Sequence, residues 1–294
     1  TNSDAFEYDA RVSPKGTYVS FIRDGALYAI TLATGAETRL SPAAEPDKAI
    51  SYGVAEFVAQ EEMNRFTGYW WSADEKYVAY TRVNESGVDI IPRFDIAADK
   101  VTVIEQRYPR AGKANAVVDL TVRNVTTGEE KNIAWRRKGW GDGGDQYLAR
   151  VSWMRDGVFV QAVNRDQTLL EGRLALAPEF VLPGSLRDGT QLNELQDKWI
   201  NLGGDPVSDE GTYLVTSERS GFRHIYRIGG RGQFTQITKG DWTVNAIEGA
   251  SAADIFFTGF KDTPLERHLY AVSKASGDMR RITALGNLGG YHQD

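Results

Sequence analysis

Residues 9–41, "DARVSPKGTYVSFIRDGALYAITLATGAETRLS", alternate apolar and polar positions between short turn signals. Ser13-Pro14-Lys15-Gly16 leads into Tyr18-Val19-Ser20-Phe21-Ile22. Asp24-Gly25 leads into Leu27-Tyr28-Ala29-Ile30, and Thr34-Gly35 into Glu37-Thr38-Arg39-Leu40. Period-two alternation bounded by Gly, Pro and Asp turns predicts four short strands in an antiparallel meander.

The phrase recurs. "YWWSADEKYVAYTRV" (69–83) repeats the turn and strand, and "LTVRNVTTGEEKNI" (120–133) supplies the end of that copy. "ARVSWMRDGVFVQAVNRD" (149–166) is a third copy. "DPVSDEGTYLVTSERSGFRHIYRI" (205–228), closing with "GQFTQITKG" (232–240), is a fourth. "WTVNAIEGASAADIFFTGF" (242–260), closing with "RHLYAVSKASGDMRRIT" (267–283), is a fifth. Four strands per copy, at spacings of about 40–80 residues, is the pattern of β-propeller blades, some carrying insertions. One blade leaves an apolar face open, and stacking neighbours covers it. The expected fold is therefore all-β: about five four-stranded blades in a single propeller domain or fragment over residues 1–294. The start in mid-pattern and the ending "ALGNLGGYHQD" favour an arc of a larger ring.

Two stretches break the pattern. In "EPDKAISYGVAEFVAQEEMNRFTG" (45–68), Val54 to Arg65 lack Gly and Pro, so a short helix is expected there. "IEQRYPRAGKANAV" (104–117) reads as a loop. Insertions of this kind sit on a rim, where they reach a ligand or partner.

Composition narrows the function. Hydrophobic residues make up 41% of the 294, enough for a sizeable core, and a net charge of −6 argues against nucleic acid as partner. The absence of cysteine removes disulfides and thiolate catalysis. No apolar run reaches the ~18 residues of a membrane span, and "TNSDAFEYDARVS" has no signal-peptide pattern.

The chemistry is sparse. The Gly-x-Ser-x-Gly elbow of an α/β-hydrolase is absent. His224, His268 and His292 lack metal-site spacing, and the first two are expected to serve packing or turns. "GWGDGGD" (139–145) lacks the Lys-Ser or Lys-Thr of a phosphate loop, and its aspartates lack calcium-ligand spacing. No cofactor is expected. Glu61-Glu62 stands out. An adjacent pair is ordinarily a solvated helix face, but this one lies in an insertion between Phe57, Val58, Met63 and Phe66, apolar residues expected to anchor the helix. Two fixed carboxylates suit an ammonium group, which brings three donors and one positive charge.

The segment "EFVAQEEMNRFTGYWWSADEKYVAYTRVNESGV" resembles the double-glutamate segment of dipeptidyl peptidase IV, in the prolyl oligopeptidase family of serine peptidases. "YPRAGKANAVVDLTVRN" is similar to that family's Tyr-Pro-x-x-Gly-x-x-Asn stretch. "SERSGFRHIYRI" followed by "QITKGDWTVNAI" resembles its late-blade pattern. The combination covers residues from about 50 to about 285 and is most like the bacterial form.

The resemblance implies an eight-bladed propeller capping an α/β-hydrolase domain, in an enzyme that releases Xaa-Pro or Xaa-Ala dipeptides from peptide N-termini. It implies that Glu61 and Glu62 bind the substrate's free α-ammonium, and that the catalytic triad lies in a part of the parent beyond this chain, which alone is then inactive. It further suggests a periplasmic setting and a homodimer. The family's arginine contacts to the substrate carbonyl fall outside this sequence or do not match it, and Ile200-Asn201 stands near where some members place Phe-Arg. The alternative is a non-enzymatic propeller scaffold for a protein partner. A propeller of the acylaminoacyl peptidase or prolyl oligopeptidase type is disfavoured, since blocked or internal substrates bring no ammonium.

Overall fold

Asp24 and Gly25 both take the left-handed backbone, φ 48° and 70°, as a two-residue type I′ hairpin requires. Strands β2 (Tyr18–Arg23) and β3 (Ala26–Thr31) therefore pair directly, Arg23 opposite Ala26. With β1 (Glu7–Val12) and β4 (Glu37–Arg39) they form the expected meander, in the order β1-β2-β3-β4. The structure, a computed structural model, describes residues 3–182, 190–229 and 233–284. His292 and most of the C-terminal phrase lie outside the described residues. The chain forms two compact units: residues 1–149 with 175–182, and residues 150–174 with 183–294.

In the first unit the second sheet departs from a plain meander. Its strands are β5 (Ile50–Tyr52), β6 (Tyr69–Trp71), β7 (Tyr77–Asn84), β10 (Val117–Asn124) and β11 (Glu130–Ile133). The order is β11-β10-β7-β5, with β6 also on β7. Tyr52 pairs with Arg82 and Tyr69 with Tyr80, so β5 and β6 are two halves of one edge strand. Residues 53–68 interrupt it and carry the helix α1 (Phe57–Met63), shorter at each end than the Gly- and Pro-free stretch suggests. The sheets meet over Ile22, Leu27, Leu40, Tyr52, Tyr69, Val78 and Tyr80.

A second excursion leaves between β7 and β10. It is a two-stranded ribbon, β8 (Ile90–Ile96) and β9 (Val101–Arg107), bonded to each other and to no other strand among the described residues. Residues 104–107, expected as loop, are thus strand. Of these four only Ile104 is apolar, so no alternation marks them as strand.

Strand β12 (Gln146–Met154) contains the division between the units, and β13 (Gly157–Asn164), β14 (Leu169–Leu176) and β15 (Thr190–Leu195) follow it in a third sheet. Two regular meanders complete the second unit: β16 (Val207–Asp209), β17 (Thr212–Ser217), β18 (His224–Ile228) and β19 (Phe234–Gln236), then β20 (Val244–Ala250), β21 (Asp254–Gly259), β22 (His268–Ser273) and β23 (Met279–Arg281). They share a core of Leu214, Ile225, Val244, Ile255, Phe257, Tyr270 and Val272.

One polar device recurs across the sheets. The hydroxyl just after the last strand accepts a main-chain N–H from the third. Leu27 donates to Ser41 Oγ (2.9 Å), Ile225 to Thr238 Oγ1 (3.0 Å) and Leu269 to Thr283 Oγ1 (3.1 Å). His224 and His268 join the last two seams, fully buried, with Nδ1 3.1 and 2.9 Å from the same hydroxyls. Their other nitrogens meet Gly240 O and Glu266 Oε2, both at 2.8 Å. Both histidines serve packing, as expected from sequence.

In the first unit, Glu75 links neighbouring turns. Its buried carboxylate accepts the Lys15 amide at 2.6 Å. Burial pushes the carboxyl upward, but hydrogen bonds from Ser13, Thr17 and the Lys15 amide outweigh it, leaving the group below the usual glutamate range. The folded state thus holds this proton less tightly than the unfolded chain. The contribution is complete above the unfolded-state pKa of ~4.3 and is lost as pH falls through the folded value. Glu75→Gln is expected to lower the thermal midpoint at neutral pH, with the gap to wild type closing as the pH drops below ~4. Melting curves across that range check this; a gap constant with pH would refute it.

Candidate functional site

Seven residues are too few for a self-supporting helix in water. α1 lacks a side-chain bond at its N-cap, Glu56, and lacks acidic residues in its first turn and basic ones in its last. Its order comes from packing. Ala59 and Met63, one turn apart on one face, are buried, and Phe57 sets its ring edge-on to Tyr108 with centroids 4.8 Å apart. Asn64 takes the left-handed conformation, φ 51°, and the Arg65 amide closes the end on Ala59 O at 2.9 Å.

With Ala59 and Met63 inward, the ~100° step per residue turns Glu61 and Glu62 outward. Both are exposed, and neither side chain enters a hydrogen bond or ion pair among the described residues. Two negative charges therefore stand side by side on an anchored helix, open to a cation. Of the residues expected to anchor it, Met63 does so fully and Phe57 and Val58 are half-buried, whereas Phe66 is 64% exposed and anchors nothing.

Two charged residues do what Phe66 does not. Glu56 and Arg65 flank α1 and form an ion pair at 2.7 Å, their side chains only 5% and 4% exposed. Arg65 also donates from Nε to Leu148 O (3.1 Å) and from Nη1 to Thr67 O (3.0 Å), and lies 6.0 Å from the Trp70 ring centre. Nearby, burial raises the Glu85 carboxyl above its usual range; Arg107 opposes this and Glu56 adds to it. The sequence signal for the pair was faint: an acid and a base nine positions apart, flanking the helix.

The two ends of the excursion meet at Thr81, between the halves of the broken strand. Gly53 N–H donates to Thr81 O (2.8 Å), Thr81 N–H to Gly68 O (2.8 Å), and Thr81 Oγ1 to Val54 O (2.7 Å). The chain crosses itself so closely here that a Cβ on Gly68 would lie 2.2 Å from Val54 O.

The other stretches take structural roles. In the Tyr-Pro segment, Asn115 donates to Gly144 O (3.2 Å) and Tyr147 Oη (2.9 Å). The "GWGDGGD" loop is organised by Gln146, which accepts from the Arg137 amide and donates to Arg137 O and Gly141 O. Asn201 donates to Glu218 (2.7 Å), which also pairs with Arg223 at 3.2 Å. Among the described residues no three His, Asp or Glu side chains converge as metal ligands, and no helix is long and apolar enough to cross a membrane.

Residues 1–292 match the family described as dipeptidyl peptidase IV (DPP IV) N-terminal region. The chain belongs to this family. It is similar to a probable dipeptidyl-aminopeptidase B of Fusarium vanettenii, 28% identical over 320 residues, covering 94% of this chain and 33% of that protein. It is also similar to human dipeptidyl peptidase 8, 26% identical over 352 residues, covering 92% of this chain and 38% of that protein. Among solved structures, the crystal structure of Porphyromonas gingivalis dipeptidyl peptidase 4 superposes with a TM-score of 0.81 at 22% identity, over 96% of this chain and 39% of that one. The fold is that of the dipeptidyl peptidase N-terminal β-propeller region, as expected from the blade repeats. The chain spans about a third of the length of the relatives it matches.

Proposed function

We propose that this chain is the substrate-gating, amine-binding propeller part of a dipeptidyl peptidase IV-like serine exopeptidase, an arc of an eight-bladed ring. The observation that carries the reading is the outward pair Glu61–Glu62, unpartnered on an anchored helix, in a chain of this family. The pair receives the α-ammonium of a peptide and so sets the distance from the N-terminus to the cut. Bond breaking, by an acyl-enzyme route, falls to an α/β-hydrolase domain of the parent. This chain alone is then inactive, and the parent works in the periplasm.

The test is to read the parent gene past Asp294 and to follow peptide digestion by the full-length protein with mass spectrometry. A Gly-x-Ser-x-Gly elbow, with Xaa-Pro or Xaa-Ala dipeptides released stepwise, is the expected result. A parent without that elbow that releases no dipeptide would leave a binding scaffold.

A homodimer belongs to the same proposal, and the β8–β9 ribbon supplies a surface for it. Ile90, Pro92, Phe94 and Ile96 share one face with Val101 and Val103, and Phe94 and Ile96 are 60% and 75% exposed. The end of this face around Phe94, Ile96, Val101 and Val103 is apolar, while Glu105 and Arg107 lie opposite Pro92 and Ile90 at the other end, and the apolar end suits a twofold, self-complementary contact. Phe94→Glu is expected to turn a dimer into a monomer in analytical ultracentrifugation. A variant that sediments as the wild-type dimer would exclude this surface.

A further inference from the structure

We infer that Arg65, through its buried pair with Glu56, is the positioning residue of the Glu61–Glu62 pair. This rests on the amine-binding reading above and adds what makes the two carboxylates a fixed feature rather than a mobile one.

The Glu61 and Glu62 side chains make no hydrogen bond or ion pair among the described residues, so their placement depends on the helix beneath, and that helix is too short, and too poorly capped at its N-terminus, to hold itself. Arg65 supplies the missing constraint. Its Nη2 binds Glu56 on the entry side of α1, its Nη1 binds Thr67 O on the exit side, and its Nε binds Leu148 O, 83 positions along the chain. One planar group thus ties both ends of the helix to a strand outside the insertion. Five donors in a fixed fork make guanidinium suited to this, and ammonium cannot reproduce it.

The pair is a poor device for stability alone. Burying two charges costs desolvation, and well-packed apolar replacements of similar volume are often neutral or better. Such a pair is better matched to orientation, since it directs bonds that an apolar contact leaves undirected. A binding group held in place before the ligand arrives avoids the ordering cost on binding.

The experiment uses the full-length protein and a free-amine Xaa-Pro anilide. Its variants are Glu56→Gln, Arg65→Lys, the apolar double Glu56→Leu/Arg65→Met, and Glu61→Gln/Glu62→Gln, each with a thermal midpoint recorded. A misplaced binding group that leaves the chemistry intact raises KM and spares kcat. The expected result is a KM about 10- to 100-fold higher for the apolar double, with kcat within about twofold and the midpoint near wild type. Arg65→Lys should fall between the double and wild type. Arg65→Lys keeps the countercharge for Glu56 and provides the reading should the double fail to fold, whereas Glu56→Gln leaves the buried guanidinium without its countercharge and should lower the midpoint while raising KM. If Glu61→Gln/Glu62→Gln raises KM while the folded Arg65 and Glu56 variants keep the wild-type value, Arg65 is merely structural and the inference is wrong. If Glu61→Gln/Glu62→Gln itself leaves KM unchanged, the amine-binding reading fails, and the inference with it.

Discussion

Replacing Glu61 and Glu62 together by glutamine in the full-length protein is expected to lower kcat/KM on free-amine Xaa-Pro substrates by at least ~100-fold. The estimate starts from a charge-assisted hydrogen bond, worth about 1.5–3 kcal/mol, or about 10- to 150-fold per carboxylate. As exposed groups facing water the two carboxylates would interact weakly with any cation, since surface ion pairs are worth about 0–1 kcal/mol. On the amine-binding proposal, a bound substrate would exclude that water and bring three donors and a full charge to two acceptors, which would move the interaction into the stronger range. Glutamine keeps size and helix propensity, so α1 and its buried face of Ala59 and Met63 are retained. Steady-state kinetics beside a thermal melt separates the outcomes. A lost kcat/KM at unchanged midpoint supports the reading, and near-normal kinetics contradicts it.

The second large effect is steric. Gly68→Ala puts a Cβ 2.2 Å from Val54 O, 2.4 Å from Val54 C and 2.5 Å from Gly53 C. All three are backbone atoms, held by the bonds that Thr81 makes across the broken strand, so no side chain can rotate away. Relief requires the two ends of the excursion to part. Overpacking of this kind costs about 3 kcal/mol, which lowers the midpoint of a chain this long by about 5 °C. Because the excursion carries Glu61 and Glu62, KM on free-amine substrates should rise as well. Gly87→Ala is the control: its Cβ would meet only Ala114 Cβ, at 4.0 Å, and it should melt near wild type. Equal midpoints for the two variants would contradict the close crossing.

How far the sequence revealed this arrangement depended on how local the cause was. Asp24-Gly25 marks a hairpin because two residues alone decide the turn, and the meanders followed from such signals with period-two alternation. The broken edge strand was not legible. Ile50–Tyr52 and Tyr69–Trp71 are three residues each, and only their shared partner β7 makes them one strand. The β8–β9 ribbon was missed because its apolar positions face outward, so alternation there carries no core. At the site, Glu61 and Glu62 are legible as an acidic pair in an insertion. Phe66 is hydrophobic yet exposed, and Glu56 and Arg65 are charged yet buried, which residue type alone does not indicate. Only their mutual satisfaction, a tertiary fact, allows them inside.

The most direct measurement compares the full-length protein on one Xaa-Pro anilide with a free α-amine and on its N-acetylated twin. Acetylation removes the charge and leaves the scissile bond alone. The amine-clamp account predicts that the free form is turned over at least ~100-fold more efficiently. It also predicts that this advantage fades as the pH rises through the amine's own pKa near ~8, where the ammonium is lost. Equal turnover of the two substrates, or an advantage indifferent to that titration, would show that Glu61 and Glu62 do not read the N-terminus.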